Sequence, residues 1–231
     1  SVHLEADIVN LSAQSNISGG KHVTMSAAEE VLISDKSTIT VGLSDFISMP
    51  DDRNVVLWDP ETQFAYLFES SHKSLKSEKS VASRMARLFG RKASDYNVLD
   101  LNQPYKVEDL VSIQISGKNV IVDQGGFESR ASKNLSALKI NSENLIQLSN
   151  ASEVNWFDQV ELDATSVEFT NGIRYQSEND EWGYPTGFLI VRSSDSVNLN
   201  ELSVGGNLVV KSGNNIEITD IDQHGNYLKM N

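Results

Sequence analysis

A mainly β chain of stacked strands is predicted by three observations. Short apolar alternations recur through the sequence, first as Val9/Leu11, Val23/Met25, Leu32 and Ile39/Val41, later as Leu138/Ile140, Ile146/Leu148, Val160/Leu162 and Val167/Phe169. Each has the period of two that marks a half-buried strand. Between them stand residues with turn chemistry, such as Asn10, Ser12, Ser15, Asn16, Ser18, Gly19 and Gly20. The spacing also repeats irregularly: successive pairs after Leu138 lie 8, 14 and 7 residues apart. Two or three strands per turn of about 22 residues account for it. The expected fold is a parallel β-helix, in which each turn of chain lays its strands on the turn before. The alternative from the same strands is an antiparallel β-sandwich. It is disfavoured because the Asn-Gly hairpin signal falls at Asn171-Gly172 and not between every strand pair.

In chain order, residues 1–43 form the first coils. Residues 44–109 break the rhythm with an insertion. Asn54 to Trp58 and Phe64 to Phe68 read as two strands joined across Asp59-Pro60-Glu61-Thr62, a hairpin with a proline turn. From Lys73 to Lys92 a helix is expected, with Leu75, Val81, Ala82, Met85, Leu88 and Phe89 on one face and Lys76, Lys79, Arg84, Arg87 and Arg91 on the other. Residues 110–231 continue the coils, with Asn141, Asn144, Asn150, Asn155 and Asn171 expected at corners, because Asn tolerates left-handed backbone angles. The last coils run through Val197/Leu199, Leu202/Val204, Leu208/Val210 and Ile216/Ile218.

Composition narrows the classes. The 231 residues carry a net charge of −13, which argues against nucleic-acid binding through phosphate contacts. There is no cysteine, so thiol chemistry and disulfides are excluded. No apolar run reaches the length needed to cross a bilayer as a helix, and the start, SVHLEAD, lacks the features of a signal peptide. Charge is unevenly distributed: the helical stretch 73–92 holds seven of the 19 basic residues and a single acid, Glu78. Its two readings are docking on an anionic surface, through Lys76, Lys79, Arg84, Arg87 and Arg91, and covering a side or an open end of the β-helix. Covering has an independent physical motive and is preferred over contact with a membrane surface.

The stretches LEADIVNLSAQSNISGGKHVTMSA and ELSVGGNLVVKSGNNIEIT resemble the repeats of bacterial parallel β-helices, such as filamentous-haemagglutinin-type adhesins and the spikes of phage tails and type VI systems. The resemblance lies in the texture of the repeats and assigns no functional residue. It implies a β-solenoid that is extracellular, at the cell surface or on a virion, trimeric in the phage case or part of a longer chain. It also implies a structural or adhesive role.

No motif specifies chemistry. His3, His22, His72 and His224 are scattered, and no cofactor or metal is expected. Asp220 and Asp222 resemble the opening of a calcium loop whose twelfth position is Asn231 instead of Glu. Two groups of acids and aromatics interrupt the coils. Glu178, Asp180 and Glu181 stand beside Trp182 and Tyr184, and Trp58 stands beside Asp59. Aromatic faces stack on sugar rings and carboxylates accept their hydroxyls, so Trp182, Tyr184, Trp58 and Asp59 are candidate glycan-binding residues. Glu178, Asp180 and Glu181 are the candidates for glycoside hydrolysis or polysaccharide cleavage. The expectation is a non-enzymatic structural or adhesive module with a glycan or protein partner. A tail-spike-like polysaccharide-binding or glycan-cleaving β-helix using loop carboxylates and aromatics is the alternative, and an assembly subunit docking through the basic helix is the second alternative.

Overall fold

The computed structural model describes residues 1–42, 111–131, 136–177, 187–225 and 228–231, and the backbone of 53–59, 64–70 and 96–100. The protein is mainly β, with no helix among the described residues. Strand β1 (Val2–Leu11) is followed by β2 (Asn16–Gly19), and β3 (His22–Ile33) by β4 (Thr38–Val41). Three strands, β5 (Arg53–Asp59), β6 (Phe64–Ser70) and β7 (Tyr96–Asp100), belong to a separate small sheet. The long–short alternation resumes with β8 (Val111–Asp123), β9 (Gly126–Ser129), β10 (Ser136–Ser149), β11 (Glu153–Asn155), β12 (Gln159–Thr170) and β13 (Ile173–Gln176). It closes with β14 (Phe188–Gly205), β15 (Asn207–Ser212), β16 (Asn215–Gln223) and β17 (Leu228–Met230).

Every pairing in the large sheet is parallel. This overturns the antiparallel sandwich. The long strands pair in the order β1-β3-β8-β10-β12-β14, and the short strands return through β13-β11-β9-β4-β2. Each long strand slips register near its middle, between Ala6 and Ile8 in β1 and between Ala164 and Ser166 in β12, so it contributes two straight segments. A bulge of this kind bends the strand and changes its direction. One tier is thus two segments of a long strand plus one short strand.

The register explains why these residues stack. In the first segments Val2, Val23, Ile113, Leu138, Val160, Leu189, Leu208 and Leu228 are successive partners. In the second segments Leu11, Ile33, Val122, Leu148, Phe169, Leu199 and Ile218 do the same. Most of these side chains are fully buried and form one continuous apolar core. A slip of one residue would turn a whole column out to water, so burial itself fixes the register. The apolar pairs named above fall in these columns and their neighbours or, as Ile39/Val41 and Leu202/Val204, in the short-strand row, with one correction: Val31 and Ile33 point inward, and Leu32 is half-exposed.

The connection from a long to a short strand is uniform. It comprises residues 12–15, 34–37, 124–125, 150–152 and 171–172, two to four residues each. Almost all left-handed residues gather at this corner: Ala13, Gln14, Asp35, Lys36, Gln124, Asn150, Ala151, Asn171 and Gly172, joined by Glu201 and Asp220. Their side chains form a ladder, with Asn171 Nδ2 donating to Asn150 Oδ1 at 2.9 Å and Asn150 Nδ2 to Asp123 Oδ1 at 2.6 Å. Asn150 and Asn171 are at corners as expected. Asn141 and Asn144 lie at the register slip of β10, where the strand bends between its two segments, and Asn155 instead lies in β11.

Candidate functional site

The opposite corner, from a short strand to the next tier, behaves differently. Its connections are residues 20–21, 42–110, 130–135, 156–158, 177–187, 206 and 224–227, so their lengths run from one residue to 69. Val23 nevertheless pairs directly with Ile113, and the stack passes straight over residues 42–110. All long excursions of the chain therefore leave from one edge of the sheet.

The sequence candidates belong to these excursions. Glu178, Asp180, Glu181, Trp182 and Tyr184 lie outside the described residues, as do Lys76, Lys79, Arg84, Arg87 and Arg91. Trp58 and Asp59 lie in β5, which pairs antiparallel with β6 and parallel with β7, and their side chains are outside the described set. The strand pair expected at Asn54–Trp58 and Phe64–Phe68 is present, with Val55 opposite Phe68. Topology brings the roots of both acid–aromatic groups to the same edge.

The roots themselves are tightly built. Gly42, with φ of +85°, donates its N–H to Gly20 O at 3.0 Å. Ser177 donates through N and Oγ to Gly205 O, each at 2.9 Å. Asp158 Oδ2 accepts from Ser136 N at 2.8 Å and from its hydroxyl at 3.3 Å, tying two tiers together. Beneath this corner Tyr175 is fully buried and donates its hydroxyl to Phe157 O at 3.0 Å. Burial, followed by the nearby charge of Asp158, pushes its phenol well above the ordinary value of 10. Gly187 leaves room for the ring: a Cβ there would come within 2.5 Å of Tyr175 Oη and Ser177 Cβ.

Trp156 stands at this corner and was not singled out in the sequence. It is 40% exposed and left-handed, with φ of +66°. Its N–H donates to Gln176 O at 2.6 Å, and its carbonyl accepts from Ser136 Oγ at 3.3 Å. Around it opposite charges are matched, across tiers and within one. Glu153 is the register partner of Arg174, and Arg130 pairs with Glu128 at 3.0 Å.

A second polar group lies on the outer face of the first segments. Glu161 is 2% exposed, although it alternates with the inward Val160 and Leu162. Its carboxylate accepts from Gln159 Nε2 and pairs with Arg192 at 3.3 Å. The same outer rows contain buried Phe188, Ile190 and Val209, so this face is covered in the folded chain. Glu161 and Arg192 here hold a buried contact together, because either charge alone would be costly.

Two grooves of about 500 and 380 Å³ share Ser26, Ala27 and Ala28 at the register slip. Small side chains line them, with Glu5, Asp7 and Glu143, and Lys118 pairs with Glu29 nearby at 3.1 Å. Among the described residues no group of three or more His, Asp or Glu could hold a metal ion. Comparison with protein-family models, with curated proteins and with solved structures finds no match.

Proposed function

We propose that this chain is a parallel β-helix acting as a non-enzymatic structural and adhesive module of a secreted, surface or virion-associated bacterial or phage protein, with glycan as the partner. The observation that carries the reading is the confinement of every long connection to one corner of a parallel stack whose other corner stays at two to four residues. A rigid scaffold that varies its loops along a single edge is the common physical arrangement for recognition, because scaffold geometry positions loops that do not themselves hold the fold. Trp58, Asp59, Trp182 and Tyr184 belong to excursions rooted on that edge, which supports assigning recognition to it.

The test replaces residues 178–186 with a two-residue glycine turn and probes the full chain against an oligosaccharide panel. Retained β-sheet circular dichroism with lost binding is expected. Unchanged binding after this replacement, and after a matching one for residues 43–110, would remove the corner from recognition.

A further inference from the structure

We infer that Trp156 is a carbohydrate-stacking residue at the excursion corner and that its ligand is a neutral glycan. This deepens the adhesive reading and rests on it. Among the described non-glycine residues with positive φ, Trp156 alone lies away from the uniform corner. A left-handed backbone is uncommon for a bulky side chain and suits Gly or Asn, which hold such positions at Gly42, Asn150 and Asn171. An aromatic residue in that conformation persists only where its surroundings enforce it, and such residues cluster at binding sites.

The enforcement is visible. Its N–H is fixed by Gln176 O and its carbonyl by Ser136 Oγ, while Ser136 is itself clasped by Asp158. The result is a rigid root under a large aromatic side chain that is 40% exposed. The other large apolar side chains exposed among the described residues, Ile8, Ile218, Leu228 and Met230, all lie in the first or the last tiers. Trp156 sits mid-stack, where no end tier accounts for its exposure.

The chemistry of the ligand follows from the neighbours. An indole face offers an apolar, polarisable plane that matches the C–H face of a pyranose. Hydroxyls around the sugar rim need donors and acceptors, and Gln176, Asn155, Glu153 and Arg174 on β11 and β13 supply both. Glu153 and Arg174 oppose each other in register and Glu128 is matched by Arg130, so these four charges cancel, and the acid at the root, Asp158, is taken up by the N–H and hydroxyl of Ser136. A charged ligand gains little there, and a basic peptide would find no unmatched acid of these pairs.

The test uses the full chain and neutral oligosaccharides of glucose, galactose, mannose and N-acetylglucosamine. Oxidative footprinting of the wild-type chain, read by peptide mass, is expected to show Trp156 protected about threefold or more by a sugar that binds. Trp156→Asn, which suits the left-handed backbone, is expected to weaken that sugar about tenfold or more, and Trp156→Phe to stay within about threefold. Sugar binding with unchanged Trp156 oxidation and unchanged Trp156→Asn affinity would overturn the role of Trp156 and leave the adhesive reading standing. Absence of binding to every sugar, or binding to an oligolysine peptide instead, would overturn both. If Trp156→Asn loses its β-sheet dichroism, the wild-type footprint decides.

Discussion

The two corners that flank each short strand carry opposite assignments. The corner entering β2, β4, β9, β11 and β13 is short, left-handed and laddered by Asp123, Asn150 and Asn171. The corner leaving those strands holds connections of two to 69 residues. The difference shows how a repeat keeps its geometry while its sequence varies. Tier spacing is set by in-register columns and by one ladder, so the other corner is free to lengthen. Loop-closure entropy rises only slowly with length, which is why the long excursions cost the stack little.

The largest expected effect falls on what both corners depend on. Phe169→Ala removes a buried ring from the column Leu148–Phe169–Leu199 and is expected to cost about 3–5 kcal/mol in urea unfolding. A cost under about 1 kcal/mol would mean that the column does not hold the tiers. At the root of the variable corner, Gly187→Ala forces a Cβ toward Tyr175 Oη and Ser177 Cβ and should cost about 1–3 kcal/mol. A neutral result would show that this corner is loose down to its base. On the ladder, Asn150→Ala forfeits hydrogen bonds to Asp123 and Asn171 and strains a backbone at φ of +55°, for a loss of about 1–2 kcal/mol.

A pH titration separates the corners by chemistry. The Tyr175 phenol is held protonated in the fold, while in the unfolded chain it ionises near 10. Its contribution to stability is therefore present below pH 10 and lost as pH rises above it. Tyr175→Phe should flatten that alkaline decline while costing about 1 kcal/mol at neutral pH through the lost bond to Phe157 O. An identical alkaline slope in both proteins would remove Tyr175 from the account. The smallest effect is expected from eight Gly/Ser residues inserted within 178–186, about 0.5 kcal/mol. The same insertion between Asn171 and Gly172 should cost clearly more, and equal costs would erase the distinction between the corners.

Much of the stack was legible in the sequence because burial and strand period coincide. Val9/Leu11, Leu138/Ile140, Val160/Leu162 and Val197/Leu199 alternate cleanly and occupy the columns. Leu32 misled because Val31-Leu32-Ile33 is continuously apolar, and such a run does not show which face is inward. Phe188-Leu189-Ile190-Val191 is a run of the same kind, here because both faces are buried. The corners were half legible. Asn favours left-handed backbone, as Asn150 and Asn171 show, but also sits beside a bulge, as Asn141 does. Gln124, Glu201 and Trp156 take the left-handed conformation without any propensity that signals it. The candidate site residues had no period to place them. What locates their roots is the pairing of Val23 with Ile113, a contact over 90 residues that no local pattern encodes.

That pairing is also the most direct test of the account. The chain has no cysteine, so Thr24→Cys with Gln114→Cys places a clean pair on adjacent partners of β3 and β8, on opposite sides of the longest excursion. Cα atoms of neighbouring parallel strands lie within disulfide range. Oxidation followed by mass analysis should show an intramolecular bond in the Thr24→Cys/Gln114→Cys chain. The slipped pair Thr24→Cys/Ile115→Cys, whose side chains face opposite sides of the sheet, should show none. A bond in the slipped pair, or none in the matched pair under native conditions, would contradict the parallel in-register stack.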